Sequence, residues 1–243
     1  MHNLTQRQIE ILKAIIEEYI ENAEAVGSET LEKKRNLSSS PATIRNEMVK
    51  LQEYGYIKKP HSSAGRVPTP DGMRLYVREL MKEKVLSVVE EVALKEKVWD
   101  FRARQEKLLR EAVRSLAEKT KALAVATSTT GDIFCAGYAN ILDMPEFYDI
   151  DITRTLLTAV DDAECLHALF HSGDSNEDIH ILLGEELGSR LRGPYGFVFT
   201  HYDTPLNERG DIGVFGPVRM NYTQVVPTVR YFGNLIEEIS KNW

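Results

Sequence analysis

The stretch SPATIRNEMVKLQEYGYIKKP, positions 40–60, sets Thr43, Arg45, Asn46 and Lys50 within three helical turns. A guanidinium can donate two parallel hydrogen bonds to guanine, and a carboxamide can pair in the same way with adenine. A threonine methyl can rest against thymine. These groups act together only if one face carries them. Ile44, Met48 and Leu51 recur at i, i+4 and i+7, the spacing of a buried helical stripe, which leaves Ala42, Thr43, Arg45, Asn46 and Lys50 facing outward. Every small helix has a polar face, so the helix alone does not separate a groove reader from a solvated surface. The residues that follow favour the groove. Lys58, Lys59, His61, Ser62, Ser63 and Arg66 fall on an expected two-stranded wing, where cations and hydroxyls are placed to hold phosphate or enter a minor groove. Ser38, Ser39 and Ser40, with Lys50, Lys58 and Lys59, are the candidates for contact with the DNA backbone. Thr43, Arg45 and Asn46 are the candidates for base readout.

The elements that must position these groups are written in local signals. Thr5 and Gln8 form a capping box, and Leu4 with Ile9 a hydrophobic staple, for a first helix running to about Ala23, with Ile9, Leu12, Ile16, Tyr19 and Ile20 as its apolar face. Ser28 can cap a short second helix. Ser40 and Pro41 are the cap and first residue of the third, and Gly55 ends it. YGYIKK and GRVPT read as short strands, and Thr69, Pro70 and Asp71 start a fourth helix. Three helices, a hairpin and a further helix make a winged helix-turn-helix over residues 1–82. Residues 83–121 read as a charged helical linker, one long or two shorter helices that could pair in a dimer. Beyond it, ALAVATS, IFCAGYA, IHILLG, YGFVFTHYD and IGVFGP read as strands. Helices are expected at ITRTLLTAV, AECLHALFH and TQVVPTVRYFGNLIEEIS. The domain of residues 122–243 is therefore expected to be α+β with a mainly antiparallel sheet.

Charge divides the chain in the same way. The net charge is −7, yet residues 36–82 hold 8 Lys or Arg against 4 Asp or Glu, while from residue 83 onward 17 basic face 26 acidic residues. Phosphate contact is thereby confined to the first part. No apolar run approaches the roughly 20 residues needed to span a bilayer, so the chain is expected to stay in the cytoplasm, away from membranes. Two cysteines, Cys135 and Cys165, are too few for a disulfide framework and are read as reduced thiols. Glu164, His167 and His171 share a helical face and could hold a metal, but no matching second cluster accompanies them. Nucleophile elbow, P-loop and dinucleotide fingerprint are missing. Neither a catalytic activity nor a cofactor is expected. Two other readings stay open: a ligand-sensing winged-helix regulator of other genes, and a protein-interaction adaptor.

LTQRQIEILKAIIEEYIENAEAVGSETL, the wing PHSSAGRVPT and the downstream GYANILDMPEF and GPVRMNY closely resemble the heat-inducible transcription repressors of the HrcA family. The resemblance implies a repressor that binds the inverted-repeat operator called CIRCE upstream of chaperonin and DnaK-type chaperone operons. It implies that the GroE chaperonin keeps the repressor active until heat occupies the chaperonin with unfolded clients. An inverted repeat further implies a two-fold homodimer. The chain is shorter than the family pattern between LAVATS and FCAGYAN, where relatives carry part of a GAF-like sheet and a dimerisation insert. A truncated GAF-like domain is expected here, with the linking helices taking over much of the pairing.

Overall fold

The computed structural model describes residues 4–35, 37, 39–61, 64–99, 105–128, 130–172, 178–204 and 209–241. The chain divides into two compact units, Met1–Lys82 and Glu83–Trp243.

In the first unit, helices α1 (Gln6–Asn22), α2 (Ser28–Arg35) and α3 (Pro41–Glu53) precede strands β1 (Ile57–Lys58) and β2 (Val67–Pro68), and α4 (Pro70–Leu75) follows. The expected caps are present. Thr5 accepts from the Gln8 amide at 3.3 Å while the Gln8 side chain accepts from the Thr5 amide at 3.0 Å. Ser40 accepts from the Thr43 amide at 3.3 Å, and Thr69 from the Gly72 amide at 3.1 Å. The buried face of α1 keeps Leu12 and Ile16 as expected and is widened by Ile11 and Ile15. Ile11, Leu12, Ile15 and Ile16 are essentially inaccessible, whereas Ile9, Tyr19 and Ile20 are half-buried. Contact with α2, α3 and β2 together demands a broader stripe than one neighbour would. β1 and β2 pair antiparallel, Ile57 opposite Pro68 and Lys58 opposite Val67. Gly72 lies against the wing, where a Cβ would meet the Tyr56 carbonyl oxygen at 2.1 Å.

Of the expected one long or two shorter helices over residues 83–121, the structure has two, and they do not follow directly on α4. After α4 comes one wider π-helical turn, Tyr76–Leu80, and residues 81–87 are not helical. The second unit supplies a reason. Lys84 donates its backbone N–H to the Thr223 carbonyl at 3.0 Å. Pro227, inside α10 (Tyr222–Ser240), lacks the N–H that would otherwise reach that carbonyl. Helix then restarts at α5 (Val88–Trp99). Ser87 and Glu90 form a capping box there, with the Glu90 carboxylate accepting from the Ser87 amide at 3.0 Å. Hydrogen bonds from Lys119 and Ser87 hold the Glu90 carboxyl down at about 2.

Helix α6 (Gln105–Thr120) packs against β3 (Leu123–Thr127) and β4 (Ile133–Ala136), so residues 83–121 belong to the second unit rather than to a separate linker. The sheet is completed by β5 (His180–Leu183), β6 (Tyr195–Asp203) and β7 (Arg209–Pro217), in the order β4-β3-β7-β6-β5, with every neighbour antiparallel. Alternation in the strands serves two helical layers. Val125, Phe197, Phe199 and Phe215 join a core with Leu156 and Val160 of α8 (Ile150–Asp161) and Leu166 and Phe170 of α9 (Ala163–His171). Phe197 and Phe215 stack with centroids 4.0 Å apart. On the other face α10 packs on β6, where Gly233 allows close approach to Thr200. The α+β class and its antiparallel sheet are borne out. At the place where the sequence is shortened, β3 and β4 form a hairpin with Thr127 opposite Ile133, and Gly131 adopts a φ of 89° in its turn.

Helix α7 (Tyr138–Leu142) was not anticipated. It carries Asn140, whose carboxamide donates to the Ala122 carbonyl at 2.9 Å. Glu146, just beyond, accepts two hydrogen bonds from Arg219, one of them from Nη2 at 3.1 Å. Both side chains are mostly buried. Among the described residues no helix is long and apolar enough to cross a membrane.

Candidate nucleic-acid interface

Helix α3 turns Ile44, Met48 and Leu51 inward, each at most 4% exposed. Ala42, Arg45, Asn46 and Lys50 are exposed and Thr43 is half-buried. The expected outer face is therefore present, and Val49 lies on it as well. Thr43 and Lys50 on this face have structural partners on α3 or at its cap. The Ser40 hydroxyl is engaged as the cap of α3 and lies 3.0 Å from the Thr43 hydroxyl. Lys50 pairs with Glu47 at 3.2 Å, and Glu47 also accepts from Gln8 of α1 at 2.9 Å. Those hydrogen bonds, from Gln8 above all, hold the Glu47 carboxyl below its ordinary range. They fix how far α3 can rotate on α1, and with it the direction in which Arg45 and Asn46 point.

Lys58, Lys59 and His61 are exposed on the wing, and Ser39 is half-buried just before α3. Ser38, Ser62 and Ser63 lie outside the described residues. Arg66 departs from its expected place on the wing surface. It is only 9% exposed. Its backbone pairs with Val26 through N–H to carbonyl bonds of 2.8 and 2.9 Å in the two directions. This third short segment at the base of the wing draws the arginine inward. Gly65 permits the approach, since a Cβ there would meet the Val26 carbonyl oxygen at 2.5 Å.

Ser28 is a further member of the site. It is buried at the start of α2, and its hydroxyl lies 3.5 Å from Arg45 Nη2. Val26, Ser28, Arg45, Met48, Lys59 and Arg66 line a cleft of about 320 Å³. In the sequence, Ser28 carried only the signal of a helix cap.

Elsewhere, the His171 ring is engaged through Nδ1 with the His167 carbonyl at 2.7 Å. Among the described residues no group of three or more His, Cys, Asp or Glu is placed to hold a metal.

Residues 3–92 match the family described as the winged helix-turn-helix transcription repressor, HrcA DNA-binding, and residues 71–226 match the HrcA protein C-terminal domain. The chain belongs to the HrcA family. The heat-inducible transcription repressor HrcA of Thermomicrobium roseum is 25% identical, covering 97% of this chain and 95% of its own length. That of Pelotomaculum thermopropionicum is 27% identical, covering 97% of both. The HrcA of Clostridium tetani reaches 47% identity over 126 residues, 51% of this chain and 36% of that protein. The alignment with the Thermomicrobium protein runs to 331 positions, more than the 243 residues of this chain, so that relative carries internal sequence missing here. A crystal structure described only as a hypothetical protein at 2.2 Å resolution has the same fold, with a TM-score of 0.78 at 21% identity over 99% of both chains. The chain is thus a transcription repressor with an N-terminal DNA-binding winged helix and a shortened C-terminal domain.

Proposed function

We propose that the protein represses chaperone operons in the cytoplasm, without catalytic activity or cofactor, by binding the CIRCE inverted repeat as a homodimer. The observation that carries the reading is the exposure of Arg45 and Asn46 together on α3, above a buried stripe that fixes their direction. Arg45, Asn46 and Thr43 read bases. Ser38, Ser39, Ser40, Lys50, Lys58 and Lys59 hold the backbone, and His61, Ser62 and Ser63 act from the wing. An inverted repeat requires one such helix per half-site. Val85, Val88, Val89 and Val92 support pairing of two copies. Val88, Val89 and Val92 are 74, 78 and 49% exposed on α5, and Val85, 74% exposed, lies just before the helix; together they leave an apolar patch in water that a second copy would cover. Control by the GroE chaperonin follows from kinship with the family. Anisotropy on a CIRCE duplex, with and without chaperonin, tests both parts. Tighter operator binding in its presence is expected, and indifference to it removes the chaperonin from the account.

A ligand-sensing reading draws on a cleft of about 440 Å³ lined by Glu164, Cys165, Leu169, Glu186 and Arg190. It predicts a metabolite that raises the melting temperature and changes DNA affinity in parallel.

A further inference from the structure

We propose that the cleft between the start of α2, α3 and the base of the wing is a pocket for a single phosphate group of the DNA backbone, with the Arg66 guanidinium as its charge partner. The proposal rests on the DNA-binding reading above and moves Arg66 from the wing surface to a built site beneath it.

Arg66 is 9% exposed, and its Nε has no hydrogen-bond partner among the described residues. A buried cation without a counter-charge is costly, and proteins ordinarily pair it or keep it in water. Here burial alone pulls the guanidinium below its ordinary pKa, and no carboxylate contributes to the shift. Among the described residues that line the cleft, none is acidic. Glu29, in the first turn of α2, is exposed and does not line it. An arriving oxyanion therefore meets positive charge from three side chains, Arg66 within, Arg45 on the wall and Lys59 at the rim. The planar fork of an arginine suits two phosphate oxygens at once. The eight-residue helix α2 adds the partial positive charge of its N-terminus, and the Ser28 hydroxyl stands at that end.

The position explains why the donor is buried. Backbone pairing with Val26 holds the arginine's main chain, and Gly65 lets the two strands close. The cleft borders α3 through Arg45, so a phosphate held in it would fix the distance between the backbone and the base-reading residues.

The test compares the full chain with its Arg66→Leu and Lys59→Ala variants on operator and scrambled duplexes across a salt series. Each variant is expected to weaken both duplexes alike, by about tenfold for Arg66→Leu, and to lower the salt slope by about one. Single methylphosphonate replacements in the operator should cost the wild type affinity at one backbone position per half-site, and Arg66→Leu should be insensitive there. A folded Arg66→Leu with wild-type affinity and slope overturns the proposal. If that variant does not fold, an unchanged slope in Lys59→Ala overturns it. Thermal shift with inorganic phosphate, against chloride at equal ionic strength, separates the sources. A wild type that binds no duplex but is stabilised by phosphate through Arg66 holds a free phosphate, so the DNA source fails. A wild type that responds to neither loses both this proposal and the reading beneath it.

Discussion

Val26 and Arg66 exchange both backbone hydrogen bonds, at 2.8 and 2.9 Å, although they lie far apart in sequence. The pairing closes the base of the wing against the approach to α2 and converts an arginine that reads as a surface cation into a buried one. Gly65→Ala should separate them, because the new methyl would sit 2.5 Å from the Val26 carbonyl oxygen. A cost of about 1–3 kcal/mol is expected from overpacking. Denaturant unfolding should show it together with weaker DNA binding, while Gly55→Ala, which meets no neighbouring atom, should be disturbed only by its φ of 83°.

Ser40 is expected to serve two ends. Ser40→Ala should lose about 1 kcal/mol of stability with the cap of α3. Ser40→Asp keeps a capping oxygen but adds negative charge where phosphate is proposed to approach, so it should restore stability and not DNA affinity. Recovery of both would remove Ser40 from the contact.

Glu146 and Arg219 join the two downstream family-like segments, GYANILDMPEF and GPVRMNY, across the second unit. Glu146→Ala strands a mostly buried guanidinium, and a loss of about 1–3 kcal/mol is expected with little change in DNA affinity of the folded protein. Thermal unfolding and anisotropy on the same preparation check the two halves.

How much of this was legible depends on range. Caps at Thr5, Ser40 and Thr69 are local hydrogen bonds between residues three apart, and their sequence patterns led to the right helix starts. The strands of the large sheet show as apolar runs because helices cover both faces. The burial of Arg66 was not legible, since it depends on Val26. Nor was the break at residues 81–87, which contain neither glycine nor proline. The partner that takes the Lys84 amide there, Thr223, lies at the far end of the chain. The box at Ser87 and Glu90 was a local signal for the restart of the helix, hidden inside a charged, helix-like stretch.

The two thiols should be slow. Burial raises both Cys135 and Cys165 above the ordinary thiol pKa, so at any pH near neutrality the folded protein holds less thiolate than a free cysteine. Because the folded-state values are the raised ones, alkaline pH also favours unfolding through these groups. Reaction with a thiol reagent should be slow in buffer and fast in denaturant, most of all for the buried Cys165, and fast labelling of Cys165 in the native protein would contradict its burial.

Val88→Glu combined with Val92→Glu places two charges in the exposed stripe of α5. Sedimentation should shift toward monomer, with operator affinity falling as the two-fold contact is lost. A dimer that survives intact would assign pairing to another surface.

The central claim is that α3 reads sequence. Fluorescence anisotropy of the wild type and Asn46→Ala, on an inverted-repeat operator and a scrambled duplex at several salt concentrations, tests it most directly. The account predicts that the wild type prefers the operator, and that the substitution removes about 1–3 kcal/mol of operator binding while leaving the scrambled duplex unchanged. A wild type that binds both duplexes equally, or a substitution that weakens both alike, would contradict it.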